Sequence, residues 1–72
     1  MFGFGPKTLT VNVYMKSGNV LVDDQVTDIE WTQQDGSFTF LKIDRATPQG
    51  GKKILVKSLI LSQIEGITTW LN

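Results

Sequence analysis

The sequence predicts an all-β domain, a small barrel of five or six strands with one short 3₁₀ turn before the last strand. Three observations predict it. Apolar and polar residues alternate with period two over residues 8–15, in a run rich in β-branched side chains. Asp35-Gly36 lies between two further strand-like runs, the composition of a two-residue hairpin turn. Residues 54–61 form a dense apolar run of strand length, "ILVKSLIL", bounded by a Gly-rich connector and by turn residues.

The chain has 72 residues, enough for one domain, divided into an N-terminal arm (1–7) and a barrel (8–72). A domain this short buries only ~60% of the surface its unfolded chain exposes. The sequence has no Cys and no His. That removes disulfides, zinc–thiolate sites and thiol nucleophiles, together with the commonest metal ligand and general base. No cofactor is implied. Small domains without such staples gain core by associating, so a homo-oligomer is expected.

Formal net charge is zero, which argues against a strong nonspecific polyanion binder. The charges are nonetheless segregated. Asp23, Asp24, Asp28, Glu30 and Asp35 crowd the middle of the chain, and Lys42, Arg45, Lys52, Lys53 and Lys57 follow them. This predicts two solvated faces that attract one another or, in a sharper reading, a basic loop that meets a phosphate or an acidic partner. No apolar run approaches the ~18 residues of a membrane span. The N-terminus lacks the basic-then-apolar design of a signal peptide. A cytoplasmic location without membrane contact is expected.

Taken in order, residues 1–7 form no regular element, because Gly3, Gly5 and Pro6 break helix and strand alike. Phe2 and Phe4 are expected to fold back onto the barrel or to dock on a neighbouring subunit. In the first strand Leu9, Val11, Val13 and Met15 share one face, and Thr8, Thr10, Asn12 and Tyr14 the other. Residues 16–19 are a turn in which Gly18 and Asn19 can take positive φ. Val20 and Val22 open the next strand. Ile29 and Trp31 then fall on the opposite parity, so a bulge or a tight connection is expected at Asp23-Asp24-Gln25. The adjacent carboxylates read as solvated turn residues, since strand neighbours point to opposite faces and do not chelate together.

Asp35-Gly36 predicts a type I′ turn. In the strand 37–44, Phe38 and Phe40 occupy one face and Leu41 and Ile43 the other, so both faces need cover. Residues 45–53 are a basic, Gly-rich connector without P-loop spacing. The run 54–61 suits a strand covered on both faces. In "LSQIEGITTW", Ile60, Ile64, Ile67 and Leu71 match helical spacing, but Gly66 and the β-prone residues after it oppose a helix. Ser62 and Glu65 make a capping box and Gly66 a stop, which predicts a 3₁₀ turn at 62–65 and a final strand at 67–71.

This layout, with "MKSGNVLV" leading into a bent second strand, resembles the SH3-like and Sm-like small β-barrels. The Sm-like family's asparagine region and glycine-bearing last motif have no counterpart here, so its RNA-binding residues are not carried over. The segments "GNVLVDDQVTDIEW" and "KKILVKSLILSQIEGI" are similar to parts of small phage and mobile-element proteins. That resemblance implies a phage origin, and hence a host cytoplasm, but no activity.

Catalysis is not expected. The acids sit in turns and on alternating strand positions, and Ser58 and Ser62 have no histidine to activate them. Three binding classes remain. The favoured one is a homo-oligomeric protein-binding module, contacting itself or a host or phage protein. Its candidate interface is Phe2, Phe4, Phe38, Phe40 and Trp70, with Trp31 in the core. The second is a single-stranded nucleic-acid platform built from Tyr14, Phe38 and Phe40 with Lys42, Lys52 and Lys53. The third is sequestration of a small phosphorylated ligand, such as a host-defence signalling nucleotide, between subunits under the loop 45–53. Lys42, Arg45, Lys52 and Lys53 are the candidate anion contacts.

Overall fold

The computed structural model describes residues 7–47 and 53–72, and in it four antiparallel strands form one curled, half-barrel sheet. The strands are β1 (Leu9–Met15), β2 (Val20–Gln34), β3 (Ser37–Arg45) and β4 (Ile64–Leu71), in the order β3-β2-β1-β4. Two 3₁₀ turns, Val56–Ser58 and Leu61–Gln63, precede β4. The fold is therefore all-β, with four strands among the described residues instead of five or six. The arm 1–7 lies outside the described residues except for Lys7.

One cause of the lower count is β2, which runs unbroken for 15 residues and takes up both segments on either side of Asp23-Asp24-Gln25. Its first half pairs with β1 and its second half with β3. Two bulges keep it continuous. Val11 faces Asp23 while Leu9 faces Val26, so β2 carries an extra residue at Asp24-Gln25. Val26 faces Arg45 while Asp28 faces Asp44, so Thr27 is extra as well. Each bulge shifts the side-chain parity by one and bends the strand. The residues that reach the core are consequently Leu21, Val26 and Ile29, with Asp23 beside them. Val20 and Val22 open β2 as expected; they lie opposite Tyr14 and Asn12 and share their outer face.

A third bulge re-sorts β3. Thr32 faces Phe40 and Gln33 faces Phe38, so Thr39 is extra. Its hydroxyl lies 2.9 Å from that of Thr32. Phe38 is thereby turned to the side of Leu41 and Ile43 and is 5% exposed, whereas Phe40 is 45% exposed. The alternation in "SFTFLKID" had placed the two rings together; the inserted residue separates them.

The run 54–61 is not a strand. Its two 3₁₀ turns, at about three residues per turn, send Ile54, Val56, Leu59 and Leu61 to the core and leave Leu55 and Ile60 exposed. An apolar run of this density fits either conformation, and here it fills the open side of the curled sheet. The second turn packs against β3. Ser62 lies inside that turn, whose N-cap is Ile60 with no side-chain bond, so the capping box does not form. Gly66 is no stop either: it pairs with Tyr14 within β4. A bulge at Glu65 sets Ile64 opposite Met15, and Ile64 joins Val11, Val13, Val26, Phe38, Leu41 and Ile54 in the buried core.

The hairpin turn is as expected, with φ of 53° at Asp35 and 81° at Gly36, both in the region that type I′ requires. A Cβ at Gly66 meets nothing within 4 Å, and φ there is not positive. Gly66→Ala is thus expected to stabilise the domain by ~0.5 kcal/mol through the unfolded chain. Gly36→Ala should destabilise it by about 1 kcal/mol. Urea unfolding of both variants checks the pair of signs.

Candidate functional site

Asp23 is the first departure from the surface expected of the acidic segment. It is fully buried, because the bulge that follows leaves it facing inward, one residue before Asp24 turns out. Its Oδ1 accepts the backbone N–H of Gln25 at 3.0 Å, and its Oδ2 accepts Nε–H of Arg45 at 2.8 Å. Arg45 Nη1 also donates to the carbonyl of Thr47 at 2.8 Å. The Ala46 N–H donates to the carbonyl of Gln25, so the end of β3 is stitched to the β2 bulge. Arg45, a candidate anion contact, is one half of an interior ion pair.

Of the other candidate cations, Lys42 stands apart from Arg45. Lys42 lies on the outer face of β3, opposite Glu30, with Nζ 3.8 Å from Asp44 Oδ2. Arg45, three residues on, points inward. Lys52, Phe2 and Phe4 lie outside the described residues. What does converge is Arg45, Lys53 and Lys57, around a cavity of about 490 Å³ walled by Ile43, Ile54 and Val56. Lys57 was hidden in the sequence inside an apolar run; its only signal was its place in the basic segment.

The aromatic residues separate in the same way. Phe38 is core. Phe40 stands on the outer face of β3, and Trp70, 53% exposed, pairs with Thr10 on the outer face of β4. These strands are the two edges of the sheet. Trp31 pairs with Leu41 on the inner side but stands at the rim, more exposed than a core residue. Among the described residues, Tyr14, Phe38 and Phe40 do not share one face, Phe38 being buried and the other two on the outer face. Tyr14 instead accepts a bond from the Thr68 hydroxyl on the outer face of β1 and β4. On the same face Asn12 is 7% exposed, and its Nδ2 and Asp24 Oδ1 have no hydrogen-bond partner among the described residues.

The C-terminal Asn72 fastens this face. Its Nδ2 donates to Thr8 Oγ1 at 2.8 Å and to the Asp24 carbonyl at 2.9 Å, and its Oδ1 accepts the Thr10 hydroxyl. The far edge of β4 pairs with no strand among the described residues. Its sequence, "IEGITTWL", holds one charge and no Pro. Among the described residues no group of acids, His or Cys could hold a metal ion, and no helix is long and apolar enough to cross a membrane.

No protein-family model, curated protein or solved structure matches the chain.

The separation of the two phenylalanines is measurable. Phe38→Ala is expected to lose about 3–5 kcal/mol of stability. Phe40→Ala should lose less than about 1 kcal/mol, as at an exposed site. Denaturant midpoints of the two variants check the sorting by the Thr39 bulge.

Proposed function

We propose that the domain is a non-enzymatic binding module that acts through protein–protein contacts and assembles first with itself, a second copy adding to the free edge of β4. The observation that carries this reading is the state of that edge. Exposed edge strands pair with other chains unless charge, Pro or a cover prevents it. Over its last five residues, "ITTWL", β4 has no charge and no Pro, and among the described residues no strand covers its far edge. Trp70 and Leu71 are exposed beside it. A two-fold contact would place β4 antiparallel to its copy and join two four-stranded sheets into one. The small size of the domain, with no disulfide and no histidine, favours both association and a role outside catalysis.

The finer identity belongs to the same reading. A curled antiparallel sheet with a 3₁₀ turn before its last strand is compatible with an SH3-like or Sm-like barrel. The resemblance of residues 18–31 and 52–67 to phage and mobile-element proteins supports a phage-encoded module in a host cytoplasm. Its further partner would be a host or phage protein. Single-stranded nucleic acid is less favoured, because Phe38 is buried and Lys42 and Arg45 face acidic neighbours.

Light scattering over a concentration series tests the assembly. The chain of 8.0 kDa should give twice that mass, and Thr69→Lys, at an exposed edge position, should return it to 8.0 kDa with the circular dichroism unchanged. A wild-type monomer at every concentration would contradict the reading.

A further inference from the structure

We infer that a second copy is recognised in one register: the two-fold axis passes through Thr69, and the Trp70 side chains of the two copies meet across it on the outer face. The register rests on the β4 association proposed above, and Trp70 specifies it. The Asn72 N–H donates to the Thr8 carbonyl, and the pairs from Leu9–Leu71 to Tyr14–Gly66 continue that alignment without a slip. In an antiparallel ladder, hydrogen-bonded pairs alternate with non-bonded ones. Gly66, Thr68 and Trp70 therefore direct their backbone groups to β1, and Ile67, Thr69 and Leu71 turn theirs to the free edge. The other side of β1 agrees with this phase. There the Met15 N–H donates to the Asn19 carbonyl, which directs the backbone groups of Val11 and Val13 to β2.

Antiparallel registers differ in how many of these edge groups they satisfy. With the axis at Thr69 every one is used: Ile67 pairs with Leu71 of the second copy, Thr69 with its own counterpart, and Leu71 with Ile67. A shift of the axis by one residue either way leaves one of them without a partner in the regular stretch 66–71, which the bulge at Glu65 bounds. The axis stands perpendicular to the sheet, so each face continues into the same face of the second copy. Leu71, exposed in one chain, is set against Ile67 of the second copy, which packs on the core. On the outer face Trp70 lies opposite Thr68 of the second copy. The other Trp70 is its diagonal neighbour, at the ~7–8 Å that aromatic side chains span. Tryptophan is enriched at the energetic centres of interfaces, and no charge enters this one. The opposite edge of the sheet, β3, carries Lys42, Asp44 and the Thr39 bulge, features that oppose strand addition. They disfavour a head-to-tail contact of β4 on β3, and the assembly closes at two copies.

Disulfide cross-linking and sedimentation equilibrium test the register. The chain has no cysteine, so introduced thiols are the only ones. Thr69→Cys should cross-link to its own copy on mild oxidation, because bonded residues directly opposite one another stand about 5.5 Å apart at Cα, within reach of a disulfide. Leu71→Cys should not, its two copies lying about 13 Å apart along the strand. Mixed with Ile67→Cys, it should form the cross-linked hetero-dimer. Trp70→Ala should raise the Kd of the dimer by about tenfold or more with the circular dichroism of the monomer unchanged, and Trp70→Phe should restore association. The register is overturned, with the association left standing, if the wild type dimerises but neither Thr69→Cys nor the mixed pair cross-links. It is overturned equally if Leu71→Cys cross-links alone, or if Trp70→Ala associates like the wild type. A wild-type monomer at every concentration overturns the association and the register together.

Discussion

The carboxylate of Asp23, fully buried, sits where β2 passes from one half of the sheet to the other, and its pairing with Arg45 holds that passage in place. A charge taken out of water loses several kcal/mol of solvation unless it is paired and hydrogen-bonded. Both oxygens of Asp23 are accounted for, one by the Gln25 amide of the bulge and one by the Arg45 guanidinium. The carbonyl of Gln25 in turn accepts the Ala46 amide. A single residue step thus fixes the bulge in β2, the end of β3 and the angle between the two half-sheets. A domain of 72 residues has a total stability on the order of 4–11 kcal/mol. An uncompensated Arg45 in that position, at about 3–5 kcal/mol, is comparable to the whole.

Once β2 bends there, the remaining architecture follows from parity. Val26 turns inward between the two bulges, and the second half of β2 brings β3 across the concave side. The Thr39 bulge then places Phe38 over the core and leaves Phe40 outside. The apolar residues of 54–61 close what is left. They do so as two 3₁₀ turns because the core accepts side chains at Ile54, Val56, Leu59 and Leu61, a spacing no regular strand provides.

Much of this is legible in the residues, and the division is physical. β1 and the Asp35-Gly36 turn obey local rules, alternation and positive φ, that need no tertiary context. The slip after Asp23 is legible too, because it breaks the alternation. The bulges at Thr27 and Thr39 are not. "SFTFLKID" alternates without fault in the sequence, and only its partner strand reveals the extra residue. The burial of Asp23 is hidden for a related reason: its partner lies 22 residues away. Composition marked Arg45 and Lys53 as cations, but only the tertiary structure places them with Lys57 around one cavity. The exposed edge of β4 and that cavity occupy different parts of the domain.

The pinning of the β2 bend by Asp23 and Arg45 is tested most directly by a double-mutant cycle, with Asp23→Ala, Arg45→Ala and the double variant unfolded in urea. Each single substitution leaves the other charge buried, and removing both relieves that penalty. The coupling energy is therefore predicted at about 2 kcal/mol or more, the double variant being far more stable than the sum of the single losses implies. Single losses that simply add, to within about 0.5 kcal/mol, would show that the pair does not hold the bend.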